Sequence, residues 1–199
     1  MVRIFNAPVV FKIFTLVLIL GIGVTESSCQ SQNKAKDYCQ LLSKYSLNTN
    51  GKAIIIEKGS RKLSVLENGK VITTFEVTIG EEAGNKAKSG DNRTPEGVFL
   101  VQKIHDASNW VYYPDDDTTK GIENAYGPWF IRLKVPRFKG IGIHGYYHDD
   151  HIGSRASEGC VRLNNEELQE LVDFVEVGMP VMIIPGKEDI KVNRRELNK

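Results

Sequence analysis

The sequence predicts a mainly β domain, a sandwich or a barrel, carrying one prominent α-helix. Three observations carry that reading. Short segments rich in β-branched residues recur from Ala53 onward, separated by polar, glycine-bearing turns. Asn68–Gly69 stands between two of them and suits a two-residue hairpin turn, because both positions must tolerate positive φ. Only Asn165–Val177 spaces its apolar residues as a helix does.

Taken in order, the first segment is the apolar stretch Ile13–Val24, preceded by Arg3 and Lys12. A signal-peptide core runs about 7–15 residues and a spanning helix about 20. Residues 1–28 therefore read as an export signal, with a short uncleaved anchor as the rival. Ser27–Ser28–Cys29 resembles a lipoprotein processing site, at which Cys29 would carry the lipid. Glu26 stands where that site usually has an aliphatic residue, and ordinary cleavage nearby is the other outcome. The expected location is the cell envelope, periplasm or outer surface.

Residues 29–51 are polar and read as a linker with one short helix around Lys36–Tyr45. Cys39 falls in that helix, in a structural role or linked to Cys29. Strands follow: Ile54–Ile56, a turn near Lys58–Ser60, then Leu63 and Val65 alternating with polar residues, and Val71–Ile79 returning after Asn68–Gly69. Glu81–Arg93 reads as a polar loop. Gly97–Ile104, Trp129–Val135, Ile141–His144 and Val181–Ile184 complete the strands. In the helix, Asn164 is the expected cap and Glu167 its capping-box partner. Leu168, Leu171, Val172 and Val175 form the apolar face, and Gly178 and Pro180 end the helix. The main domain is expected over 52–186, with a charged, solvated tail over 187–199.

The chain has 26 basic and 25 acidic residues, a net charge of +1, so a nucleic-acid binder is not expected. Three cysteines cannot build a disulfide framework. Cys160, alone deep in the chain, is either a small buried hydrophobe or a reactive thiol.

Its surroundings favour chemistry. Gly159 permits a sharp turn that can aim the N–H groups of Gly159 and Cys160 at one carbonyl oxygen. A free thiol has a pKa near about 8.5 and is mostly protonated at neutral pH, so it needs a base. His144, at the end of the preceding strand, is the candidate. Its second nitrogen needs an acceptor, either a backbone carbonyl near Gly145 or a carboxylate. His144, His148 and His151, with Asp149 and Asp150, also invite a metal reading. The glycines and the pair Tyr146–Tyr147 argue for a loop there, and no metal is expected. Asp115–Asp117 reads as a solvated acidic turn. Trp110, Tyr112, Tyr113, Tyr126 and Trp129 are candidates for a groove, about half of them core.

His144–Gly145 followed by Ser157-x-Gly159-Cys160-x-Arg162 resembles the signature of L,D-transpeptidases with the YkuD-type catalytic domain. Ser89–Phe99 (SGDNRTPEGVF) is similar to that family's G-D-x-x-T-P-x-G-x-F segment, and Ile54–Gly80 to its opening hairpin. The resemblance spans residues 52–186. It implies a β-sandwich acting on peptidoglycan stem peptides, without metal or cofactor. It also implies Cys160 as nucleophile, His144 as general base and Gly145 as donor of the orienting carbonyl. Ser157 and Gly159 would shape the oxyanion turn, and Arg162 would brace that turn or meet a stem carboxylate. Arg162 and Tyr146 are the substrate-binding candidates. The cysteine would attack the third residue of a tetrapeptide stem, releasing D-alanine, and an amine would take the acyl group. Glu158 stands where many members have histidine; it is expected to face away from the thiol, and it leaves the acceptor open. The alternatives are a peptidase or amidase that sends the same thioester to water, and a non-catalytic wall-binding module. A monomer is expected, with membrane contact only through the N-terminus.

Overall fold

A computed structural model describes residues 38–48, 50–114, 120–146 and 151–198, all within the compact unit 34–199. The export signal and the lipid site at Cys29 lie outside the described residues. So do Asp115–Asp117, Tyr147, His148, Asp149 and Asp150.

An eight-stranded sheet dominates, in the order β11-β9-β8-β5-β12-β1-β2-β3. It opens with β1 (Lys52–Glu57), β2 (Lys62–Glu67) and β3 (Lys70–Glu76), antiparallel neighbours. The β2–β3 turn is Asn68–Gly69, with φ of 51° and 74°, the hairpin the dipeptide predicted. β12 (Pro180–Ile184) runs parallel to β1, and β5 (Gly97–Asp106) antiparallel to β12.

β5 is where the sheet bends. Its first half pairs with β12 and its second half with β8 (Trp129–Leu133), and the register shifts between Val101 and Lys103. Such an irregularity increases local twist and bend, which lets one sheet curl about one core. Beyond β8 lie β9 (Gly142–His144) and β11 (Val161–Arg162). The core joins Ile54, Ile56 and Leu63 from one side to Ile131, Ile143 and Val161 from the other. Helix α2 (Asn165–Phe174) adds Leu168 and Leu171. This is the expected mainly β architecture with one prominent helix after Cys160.

The apolar run Ile54–Ile55–Ile56 has no polar alternation because both faces of β1 are covered. Ile54 and Ile56 join the main core. Ala53 and Ile55 join a second cluster with Leu66, Met182 and, from α1 (Tyr38–Lys44), Tyr38 and Leu42.

Two elements differ from expectation. α2 stops at Phe174 because the next segment is tied to β5: Gly178 N–H donates to Val101 O at 2.8 Å, and Val101 N–H to Met179 O at 2.9 Å. Within the 187–199 stretch, Lys187–Leu197 forms helix α3, most of it exposed. Its Asp189 is fully buried against Lys58 (2.9 Å) and Arg155 (2.9 Å). Of its charges Asp189 is the buried one, while Lys187, Glu188, Lys191, Arg194 and Arg195 stay exposed. Short pieces complete the fold: β4 (Ile79–Gly80) beside β10 (Arg155–Ser157), and the hairpin β6 (Val111–Tyr112) with β7 (Ile122–Glu123).

Candidate active site

β9 ends at His144, opposite Phe130 of β8 and beside Arg162 of β11. The imidazole is buried, stacked on Phe130 at 5.4 Å and meeting Tyr126 edge-on at 5.1 Å. Its Nδ1 lies 2.6 Å from the Gly145 carbonyl oxygen. A carbonyl only accepts, so Nδ1 carries the proton and Nε2 keeps its lone pair. Position 145 has no room for a side chain, since a Cβ there would fall 1.9 Å from Asn165 Oδ1. Asn165 begins α2; its Oδ1 accepts from Tyr146 N–H (3.1 Å) and its Nδ2 donates to Tyr146 O (3.0 Å). The helix start therefore pins the chain that carries His144.

The Ser157–Cys160 turn is held by one hydroxyl. Ser157 Oγ accepts from Gly159 N–H at 3.1 Å and donates to Cys160 O at 2.5 Å. Gly159 has φ of 129°, and a Cβ there would meet Arg93 O at 2.8 Å, so both conformation and space call for glycine. The bond to Ser157 occupies the Gly159 N–H. Of the two backbone donors expected to converge on a carbonyl oxygen, that one is held within the turn.

Cys160 is half-buried and free, with Sγ 3.3 Å from Gly140 O. His144, Tyr146, Ser157, Cys160 and Arg162 line one cavity of about 590 Å³. Arg162 donates to Ala156 O at 3.1 Å, and its guanidinium lies 4.3 Å over the Tyr146 ring. Its Nε is buried without a hydrogen-bond partner.

The electrostatics favour the neutral forms of both reactive groups. Burial, aided by the Arg162 charge, lowers the His144 pKa to about 3, although the Gly145 bond opposes this. Burial pushes the Cys160 thiol up and Glu158 adds to it, against a backbone hydrogen bond from Gly142 and the charges of Arg162 and Lys86. Water in the cavity tempers the burial, because the residue keeps partial exposure. The resting pair is a neutral thiol and a neutral imidazole with an open Nε2.

Of the residues picked from the sequence, His144, Tyr146, Ser157, Cys160 and Arg162 line this cavity, and Gly145 and Gly159 form the backbone that holds them. Sequence reading missed Lys86, which lines it: Lys86 is nine-tenths buried, with Nζ 2.8 Å from Asp91 Oδ1. Asp91 also accepts from the N–H groups of Ala87, Lys88 and Arg93, which pins the turn. Glu158 is exposed, yet its carboxylate stands on the cavity rim, accepting from Tyr112 Oη–H at 2.7 Å. It does not face away, because the β6–β7 hairpin brings Tyr112 over it. Of the groove aromatics, Tyr112 and Tyr126 line the cavity, Trp110 supports Tyr126, Tyr113 is exposed and Trp129 binds Gln169. Among the described residues no group of three or more His, Cys, Asp or Glu is placed to hold a metal ion.

The family model YkuD, the L,D-transpeptidase catalytic domain, matches residues 51–183, and the chain belongs to that family. Among its relatives is L,D-transpeptidase YqjB of Bacillus subtilis, 28% identical over 151 residues, which are 73% of this chain and 80% of that one. YkuD of the same organism is 25% identical over 130 residues, 65% of this chain and 64% of its own length. The catalytic domain of an Enterococcus faecium L,D-transpeptidase shares the fold: TM-score 0.51 at 21% identity, covering 68% of this chain and 98% of that one.

Proposed function

We propose that the protein is a cell-envelope cysteine acyltransferase that cross-links peptidoglycan through its tetrapeptide stems. The observation that carries this is the meeting of Cys160, from the turn before β11, and His144, from the end of β9, in one cavity where His144 spends Nδ1 on Gly145 O and keeps Nε2 as a base. As Cys160 Sγ attacks the carbonyl of the third stem residue, its proton passes to Nε2. The C–N bond to the terminal D-alanine breaks, and that amine leaves with the proton. An amine of a second stem then attacks the thioester, His144 takes its proton, and the thiol is restored. Arg162 and Tyr146 form a cation–aromatic platform at the cavity wall, suited to a stem carboxylate or carbonyl. Ser157 and Gly159 keep the Cys160 backbone in its turn. Family membership and the apolar N-terminal segment support the envelope as the place of action.

The test is incubation of the protein with tetrapeptide muropeptides, read by mass spectrometry. Loss of D-alanine with a new cross-link is expected, along with a thioester adduct on Cys160. Absence of product from the wild type, or the same product from Cys160→Ala, overturns the proposal. Cleavage without cross-links would instead make the protein a peptidase.

A further inference from the structure

The cavity is not uniformly charged. Of its cations, Lys86 binds Asp91, Arg162 lies on Tyr146 and bonds Ala156 O, and Lys139 joins them on the wall. Of its carboxylates, Glu81 meets Asn92, and Glu158 stands in the turn that carries Cys160. Its Oε1 accepts from the Tyr112 hydroxyl, and among the described residues no cation forms an ion pair with it. The carboxylate is thus oriented but not neutralised. It belongs to the same turn as Cys160, so whatever binds it lies beside the acylated sulfur.

A primary amine with a pKa near about 10.4 arrives at neutral pH as an ammonium ion. A hydrogen-bonded carboxylate suits that group, since charge-assisted bonds exceed neutral ones in strength. The Tyr112 hydroxyl donates to one oxygen and leaves lone pairs on both for the ammonium N–H groups. We propose that the Glu158 carboxylate, held by Tyr112 at the rim of the Cys160 cavity, docks the ammonium group of the acyl acceptor and so directs the thioester to an amine in place of water. This rests on the reading of Cys160 as the acylated residue, and it identifies the acceptor class by charge. Glu158 acts as a specificity residue: the docked ammonium gives one proton to solvent water, the free amine attacks the thioester, and His144 Nε2 takes its second proton and returns it to the departing Cys160 thiolate.

The test acylates wild type, Glu158→Gln and Tyr112→Phe with a tetrapeptide stem, then titrates two acceptors. One is a tripeptide stem bearing a free side-chain ammonium; the other is hydroxylamine, which is neutral at pH 7. Loss of one charged hydrogen bond predicts that Glu158→Gln raises the half-saturating concentration of the stem amine about tenfold. The product ratio shifts toward hydrolysis, while transfer to hydroxylamine changes by less than about twofold. Tyr112→Phe falls between, which separates a loosened carboxylate from a lost one. Wild-type half-saturation and partition in Glu158→Gln, or equal losses with both acceptors, overturn the proposal alone. Failure of the wild type to form any Cys160 adduct overturns both this and the proposed function.

Discussion

At the scale of single residues, the protonation states of His144 and Cys160 set what can be measured. A histidine whose pKa is lowered to about 3 stays neutral across the physiological range, so the acid limb of activity should show no inflection near the free-imidazole value of about 6.5. The thiol is shifted the other way. Iodoacetamide alkylation of Cys160 is expected to climb with pH through an apparent pKa above that of a free cysteine, read by mass-spectrometric labelling from pH 5 to 10. A thiolate already formed at pH 6 would contradict the structure. Gly145→Ala offers a second residue-scale test. Its Cβ would collide with Asn165 Oδ1, so α2 and the His144 loop cannot both keep their places. A fall in kcat of about tenfold or more is expected, because misplacing a base by about 1 Å is costly, with the fold retained by circular dichroism. His144–Gly145 and Ser157–Cys160 were legible because each is a contiguous motif whose geometry is local. The Tyr112–Glu158 bond was not, since it joins residues 46 apart through a hairpin with no strong pattern of its own.

At the scale of elements, α3 shows what periodicity misses. Its sequence KEDIKVNRREL has no apolar stripe wide enough to announce a packed helix, and a charged tail was the natural reading. What fixes it is a set of polar bonds to the loop after β4. Asp189 accepts from Gly84 N–H (2.9 Å), Asn193 accepts from Asn85 N–H (2.7 Å), and Glu196 forms a two-pronged contact with Arg93 at 3.1 and 2.9 Å. Lys58, fully buried, donates to Gly84 O, Thr94 O and Glu96, and pairs with Asp189. That loop supplies Lys86, Ser89, Gly90 and Asn92 to the cavity wall. Asp189→Ala would leave Lys58 to Glu96 and Arg155 to the exposed Glu188. Removal of one partner from a buried ion pair costs about 3–5 kcal/mol, a loss that urea unfolding would register. The helix whose start and apolar face were legible, α2, differs in having its own core face and cap: Asn164 Oδ1 accepts from Glu166 N–H at 2.8 Å, in place of the expected capping box with Glu167.

For the whole molecule, the curled sheet was legible in its strands but not in its curvature. β-branched runs mark strands, whereas the bend in β5 depends on which neighbour each half finds, a non-local fact. The same holds for acid stability. Burial raises the Asp91 carboxyl, but Lys86 and the N–H groups of Lys88, Ala87 and Arg93 outweigh it and leave it well below the usual range. Burial likewise raises Asp189, and the Gly84 N–H and Lys58 overcome it, for a net lowering. A depressed carboxyl contributes fully above its unfolded pKa of about 3.9 and loses that contribution as pH falls toward the folded value. His144, also depressed, costs stability as pH drops below about 6.5, where the unfolded chain gains a proton that the folded one refuses. Thermal unfolding midpoints should therefore begin to slip below about pH 6.5 and fall more steeply below about pH 4. A flat midpoint from pH 7 to 3 would contradict these assignments.

The bracing of the cavity wall by α3 also imposes an order on biosynthesis. The helix follows every strand in the chain, so a ribosome has already produced Cys160, His144 and the loop containing Lys86 before residues 187–197 exist. Until then, that loop lacks its contacts with Asp189, Asn193 and Glu196. A chain cut short before residue 187 would thus possess the thiol without the contacts that brace the wall beside it.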